Sequence, residues 1–211
     1  FNAFAKGEKE MKIVVIGAGG TGCSTAMLLA KREIPFTIID DDIIETNNLG
    51  RQILYTKKDI GLQKVAVAKE KLKEINEKLE IKAIEKRLTN ENAGELLKEF
   101  DVILDCTDNF DARLAIDNHC KKWKKTWIFA SAFKNEGMVA TLTPKSKPFE
   151  KFAKNPGMCF ECGQETTLGI VSLIASIQVQ ELENIMNKKP ELAGKLLYAD
   201  LKNIQFKTIK P

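Results

Sequence analysis

The segment from Lys12 to Gly22 constrains the chain more than any other. Lys12–Ile16 (KIVVI) is a β-branched run that reads as a buried strand, and Gly17-Ala18-Gly19-Gly20-Thr21-Gly22 follows it directly. Helical spacing then begins at Cys23 and continues to Lys31. Glycines between a strand and a helix let the backbone approach a phosphate. The helix N-terminus adds unpaired N–H groups and the positive end of its dipole. The next strand, Pro35–Asp40 (PFTIID), ends on an acid that can accept bonds from ribose hydroxyls. The pattern fits G-x-G-x-x-G and leaves open which nucleotide binds.

The rest of the chain repeats the alternation of strand and helix. Lys64–Leu79 carries Val65, Ala68, Leu72, Ile75 and Leu79 on one helical face, and Glu80–Glu85 reads as a strand. Asn90–Lys98 predicts a helix, Asp101–Cys106 (DVILDC) a buried strand, Asp111–Lys122 a helix and Thr126–Ala130 a strand. Such alternation predicts a doubly wound, mostly parallel α/β sheet of Rossmann-like type, covered on both faces. Gly137–Thr143 departs from the rhythm and predicts an antiparallel extension at the C-terminal side. Leu142–Cys162 is rich in Pro, Lys and Gly and reads as a loop. Leu168–Met186 is a long helix, and Lys195–Leu201 with Ile204–Ile209 predicts a closing hairpin around Lys202–Asn203.

Composition removes several classes of function. With 44% hydrophobic and 29% charged residues the chain can bury a core, which excludes intrinsic disorder. The formal charge of +4 is spread along the chain without a basic arm, so no nucleic-acid partner is expected. Lys121–Lys122 and Lys124–Lys125 read as a solvated helix end. No membrane partner is expected either. The uncharged run Ile13–Ala30 is broken by glycines, Thr166–Gln180 is too short to span, and the opening FNAFAKGEKEMK lacks a signal-like apolar run. The five cysteines are scattered, as expected of a protein in the reducing cytoplasm. With His119 as its one histidine, the chain cannot build a site that needs two.

Three further features separate this chain from an ordinary dehydrogenase. Asn47-Asn48-Leu49-Gly50-Arg51-Gln52 follows Asp40-Asp41-Asp42 closely, Lys64 opens the next helix, and Asp108-Asn109 follows the DVILDC strand. In a doubly wound sheet the carboxyl ends of the strands share one crevice, so Asp40, Asp42, Asp108 and the glycine loop should converge. Arg51 and Lys64 can fold back onto phosphates there. Two cations and a carboxylate beside a phosphate loop suit ATP with Mg²⁺, with Asp108 as the metal's protein ligand. Each residue also has a plainer reading: Arg51 pairs with Asp41 or Asp42, Lys64 is an exposed helix residue, and Asp108 caps a helix.

These motifs, GAGGTG, DDDIIETNNLGRQ, GLQK ending at Lys64, and LDCTDNFDARLAID, resemble the ThiF/MoeB/HesA family, prokaryotic relatives of ubiquitin-activating enzymes. They run in order from Lys12 to Asp117, with weaker similarity on to Phe206. The stretch Asp108–Arg113, with Asn118, Cys120, Thr126 and Trp127, is also similar to the enzyme that activates the small modifier UFM-one. The resemblance implies that residues 1–211 form one adenylation domain. It implies ATP-dependent adenylation of the C-terminal glycine of a ubiquitin-like or sulfur-carrier protein ending in Gly-Gly, with release of pyrophosphate, by a homodimer. By the same resemblance Gly17, Gly19, Gly20 and Gly22 hold phosphate, Asp40 and Asp42 face the ribose side, and Asn47, Asn48, Arg51 and Lys64 bind phosphates. Asp108 binds Mg²⁺, Asn109 touches the nucleotide, and Arg51, Lys64 and Asp108 carry the catalysis. Relatives also supply an arginine from an N-terminal segment across the dimer; here the residues before Met11 offer only Lys6 and Lys9 as cations.

Cys159-Phe160-Glu161-Cys162 resembles half of the family's structural Cys₄ zinc site, whose other half would follow the final hairpin. A redox pair and no metal at all are the alternatives. Residues 143–165 form a loop in which only Gly163-Gln164-Glu165 separates Cys162 from Thr166, too short for the family's crossover with its thioester cysteine. Cys23 and Cys106 read as buried apolar residues, and His119 with Cys120 as core or surface rather than a catalytic pair. Two other functions remain open at this point, an NAD-dependent oxidoreductase and a non-catalytic nucleotide-binding scaffold.

Overall fold

The computed structural model describes residues 11–150 and 166–210. Their strands form one eight-stranded sheet. The fully buried run Ile13–Ile16 is β1, at the centre of its parallel half. β2 (Phe36–Asp40) and then β3 (Ile81–Glu85) lie on one side of it, β4 (Val102–Asp105) and β5 (Thr126–Phe133) on the other, all parallel. From β5 the sheet continues antiparallel through β6 (Glu136–Leu142), β7 (Leu196–Asp200) and the exposed edge strand β8 (Gln205–Ile209). The mostly parallel sheet and its antiparallel extension are thus as the sequence pattern predicts.

Period-two alternation in the buried strands sends neighbouring side chains into different cores. Val15 packs with α1 (Gly20–Lys31), α2 (Lys64–Ile75) and α5 (Leu168–Met186), through Leu29, Leu72 and Ile174. Val14 shares a core with the region of α3 (Ala93–Leu96) and with α4 (Phe110–Trp123), through Leu97 at the end of α3 and Ile116 of α4, together with Trp127 of β5. The chain leaves β3 at one edge and crosses β1 to form β4, so a crevice opens above the carboxyl ends of β1 and β4.

Several boundaries differ from the sequence pattern for local reasons. α1 begins at Gly20, inside the glycine motif. α2 stops at Ile75 because Asn76 turns extended, and its side-chain oxygen accepts the N–H of Lys78. The helix expected over Asn90–Lys98 contracts to the single turn of α3. Asn92 spends its side chain on the Thr89 N–H and the Arg87 carbonyl, which makes a turn rather than a helical register. α4 closes on Lys124 in the left-handed region, at φ 54°. Among the described residues no helix is long and apolar enough to cross a membrane. Cys159 and Cys162 lie outside the described residues, as do residues 151–165 of the loop that contains them.

His119 and Cys120 are both buried on α4, in keeping with a core role. Burial, then the charge of Lys125, lowers the His119 pKa below its ordinary value. The Leu97 backbone opposes this, and Lys122 adds to it. A depressed folded-state pKa means the unfolded chain binds the proton more readily. The contribution is therefore present above the ordinary histidine pKa and is lost as pH falls through the folded value. His119→Phe should flatten the thermal stability profile below about pH 6.5. A variant whose melting temperature falls with acid in parallel with the parent would show that His119 does not titrate on unfolding.

Candidate active site

The glycine turn is shaped by contacts as well as by freedom. Gly17 has φ +97°, and a Cβ there would lie 2.7 Å from the Cys106 carbonyl oxygen. A Cβ on Gly22 would lie 2.0 Å from the Gly17 carbonyl oxygen. Gly22 is thus a packing residue that lets α1 close onto the turn, and it does not line the cavity assigned to phosphate. Gly17, Gly19 and Gly20 do line it. The cavity has a volume of about 290 Å³.

Asp40 ends β2 beside the turn. Its carboxylate accepts the N–H of Ala18 at 2.5 Å and that of Asp42 at 2.8 Å, fixing the turn to the β2 end. Burial raises the Asp40 pKa from the ordinary carboxylate value, against the nearby charge of Lys64 and these two N–H bonds. Lys64 is only 6% exposed. Its ammonium donates to Asp42 at 2.7 Å, while its backbone N–H donates to the Asp42 carbonyl. The reading of Lys64 as an exposed helix residue therefore fails. The Tyr55 hydroxyl, 3.0 Å from the Ala18 carbonyl oxygen and 3.2 Å from that of Lys64, ties the β2–α2 loop to the glycine turn.

Arg51 does not pair with Asp41 or Asp42. One of its terminal nitrogens donates to the Asn47 carbonyl at 2.9 Å, which holds the guanidinium at the cavity wall. Asn48 lines the cavity, whereas Asn47 does not and contributes through that carbonyl and a side-chain oxygen that accepts from the Asn48 amide. Asp108 is exposed and lines the same cavity, with no hydrogen bond or ion pair among the described residues. The helix cap is Asn109, whose side chain accepts the Ala112 N–H at 2.8 Å. Arg51, Lys64 and Asp108 thus share one cavity with the glycine turn. Three aspartates, Asp40, Asp41 and Asp42, also bring carboxylate oxygens within 4.8 Å of one another at its rim.

Other contributors were not assigned a role from sequence. Gln52 is 3% exposed, lines the cavity, and leaves its side-chain oxygen without a partner among the described residues. Such a buried acceptor suits a donor brought by a ligand. Lys86 and Arg87 line the cavity from just beyond β3. The rule that strand ends share one crevice could have found them. Arg113 is fully buried behind the site. Its Nε donates to Asp105 at 3.3 Å, and one terminal nitrogen to the Thr107 carbonyl at 2.6 Å. Asp105 in turn accepts from the N–H and hydroxyl of Thr107. This strap fixes the segment that presents Asp108.

A model of the ThiF family matches residues 4–211. The chain belongs to the ThiF family. It is 32% identical to the molybdopterin-synthase adenylyltransferase of Haemophilus influenzae, over 96% of this chain and 86% of that protein. A probable molybdopterin-synthase adenylyltransferase of Porphyra purpurea is 35% identical, over 96% of this chain and 55% of that protein. The chain spans about half the length of that protein and of several other curated ThiF relatives. Among solved structures, the crystal structure of Escherichia coli MccB with ATP superposes with a TM-score of 0.82 at 19% identity, covering 96% of this chain and 64% of that one. That likeness establishes the ThiF-type fold.

Proposed function

We propose that this ThiF-family chain is a single adenylation domain that uses ATP to adenylate the C-terminal glycine of a ubiquitin-like or sulfur-carrier protein. The observation that supports the reading most is the meeting of Arg51, Lys64 and Asp108 around the glycine turn in one cavity. An oxygen of the carrier's terminal carboxylate attacks the α-phosphorus. The bond to the bridging oxygen breaks, and pyrophosphate leaves. The attacking carboxylate is already ionised near neutral pH, so no general base is needed, and a chain with one histidine is not handicapped.

The barrier is dominated by repulsion between anions and by charge gathering on the departing pyrophosphate. Arg51 and Lys64 meet both as fixed cations, since their partners hold them in place before ATP arrives. Gly17, Gly19 and Gly20 let phosphate oxygens approach backbone N–H groups at the start of α1. Asp40 accepts ribose hydroxyls from a carboxylate already oriented by Ala18 and Asp42. Asp108, an exposed carboxylate facing this cluster, would hold Mg²⁺, which neutralises phosphate charge when bound. The zinc half-site rests on the spacing of Cys159 and Cys162 alone.

A homodimer belongs to the same reading. The loop between β2 and α2 exposes Ile53, Ile60 and Leu62 together with Ile43, which lines the cavity, and we assign the second copy to that surface. Sedimentation equilibrium should give a dimer, and Leu62→Asp should shift it toward monomer; a monomeric parent removes this part of the proposal. The activity itself is tested by ATP–pyrophosphate exchange, with a panel of carrier proteins ending in Gly-Gly. Exchange that depends on one of them is the expected result. ATP binding without exchange would leave a nucleotide-binding scaffold, and preferential binding of NAD would point to an oxidoreductase.

A further inference from the structure

The apolar helix α5 carries one fully buried amide, Gln178, outside the cavity. Its Nε2 donates to the Asp105 and Ile128 carbonyls, both at 3.0 Å. Its Oε1 accepts the Thr25 hydroxyl at 2.9 Å and the Cys106 thiol at 3.3 Å. Carbonyl oxygens only accept and Thr25 can donate, so the amide has one orientation that satisfies every partner. All its hydrogen-bonding capacity is used. Leucine or methionine at this position would spare the desolvation of an amide, so a saturated amide here points to a need for orientation.

That need lies at the point where two strands part. The parallel register of β4 and β5 ends at Leu104 and Ile128. Gln178 joins the next carbonyl on β4, that of Asp105, to the Ile128 carbonyl on β5. It also grips the Cys106 side chain. Cys106 is central to the site: its N–H donates to the Ile16 carbonyl at 2.8 Å, and its own carbonyl packs against Gly17. Two residues further on is Asp108. The turn that approaches phosphate and the Asp108 carboxylate are therefore both referenced to the one residue that the amide holds.

We infer that Gln178 is a positioning residue, which sets the distance between the Asp108 carboxylate and the glycine turn and so lets the site take Mg²⁺ and ATP together. The inference rests on the adenylation reading and goes beyond it by assigning to a residue on α5 the geometry of a site it does not touch. Partners behind a metal ligand are typically worth 10–100-fold in metal affinity.

The test is calorimetric binding of ATP to the full chain, with MgCl₂ and with EDTA, for the parent, Gln178→Met and Thr25→Val. Methionine keeps the volume and removes the hydrogen bonds. Valine at 25 removes one donor from the amide oxygen, leaves the bonds to the two carbonyls, and keeps the volume, so it serves if Gln178→Met does not fold. The expected result is ATP affinity in EDTA within a few-fold of the parent, with the Mg²⁺-dependent gain reduced about 10-fold or more in Gln178→Met and by less in Thr25→Val. A folded Gln178→Met with the parent's Mg²⁺ dependence overturns the inference. So does an unchanged Thr25→Val when Gln178→Met does not fold, or a loss that is equal with and without the metal. A parent that binds no ATP overturns the adenylation reading instead.

Discussion

Lys64→Ala slows adenylate formation about 10²-fold or more while leaving the chain folded. The size follows from how the ammonium is held. It is nearly buried, and its partner Asp42 is tied through the backbone to the same lysine and to the Asp40 carboxylate. A cation fixed in this way needs no reorganisation as charge moves onto pyrophosphate. One preorganised donor of this kind is worth roughly 3 kcal/mol, and each ~1.4 kcal/mol is tenfold in rate. Arg51→Ala should behave similarly, since its guanidinium is likewise anchored to the Asn47 carbonyl. Single-turnover release of pyrophosphate, with carrier and ATP saturating, is the measurement. A rate within a few-fold of the parent would remove the residue concerned from the catalytic assignment.

Arg113→Leu costs about 3–5 kcal/mol of folding stability, the range for breaking a buried ion pair from one side. Both members of the Arg113–Asp105 pair are fully buried. Burial raises the Asp105 pKa, and the Arg113 charge and the Thr107 bonds pull it back. Removing the guanidinium leaves the carboxylate to be buried unpaired or to take up a proton. It also takes a donor from the Thr107 carbonyl and removes the cation that sits over the Phe129 ring, 5.1 Å from its centroid. Adding Asp105→Asn should recover a large part of the loss, because the amide can be buried without charge while still accepting from Thr107. Urea unfolding of both variants gives the answer. A single variant less than about 1 kcal/mol weaker than the parent would mean that the pair contributes no more than an exposed one.

The parallel half of the sheet was legible because short-range physics dictates it. Buried β-branched runs ending in glycine or acid left little choice for β1, β2 and β4, and the apolar face of Leu168–Met186 gave α5 its observed limits. The convergence of Asp40, Asp42 and Asp108 with the glycine turn was legible from the rule about strand ends, and that of Arg51 and Lys64 from their place in the loop and helix start that fold back there. What escaped were residues whose meaning depends on partners far along the chain. Arg113 reads as one more charge on a helix until Asp105 is seen beneath it. Gln178 reads as a polar break in an apolar helix until Thr25, Asp105, Cys106 and Ile128 are seen to converge on it. Asn92 and Asn76 cut their helices short through side-chain bonds to nearby backbone that periodicity does not register. Gly22 and Asn47 fall within motifs that face the cavity, yet do not line it: Gly22 packs on the Gly17 backbone, and Asn47 holds the side chains of Arg51 and Asn48.

The bond between Thr25 and Gln178 joins residues 153 positions apart. α1 therefore waits, during synthesis, for that intervening stretch to emerge before its covering helix arrives. Closing so large a loop brings its reward late, and topologies rich in such distant pairs fold slowly. The apolar flank of α1 that packs on α5 stays bare until Leu168–Met186 has emerged. A nascent chain arrested before Leu168 should consequently associate with holdase chaperones or with its own copies, and release should coincide with the arrival of α5.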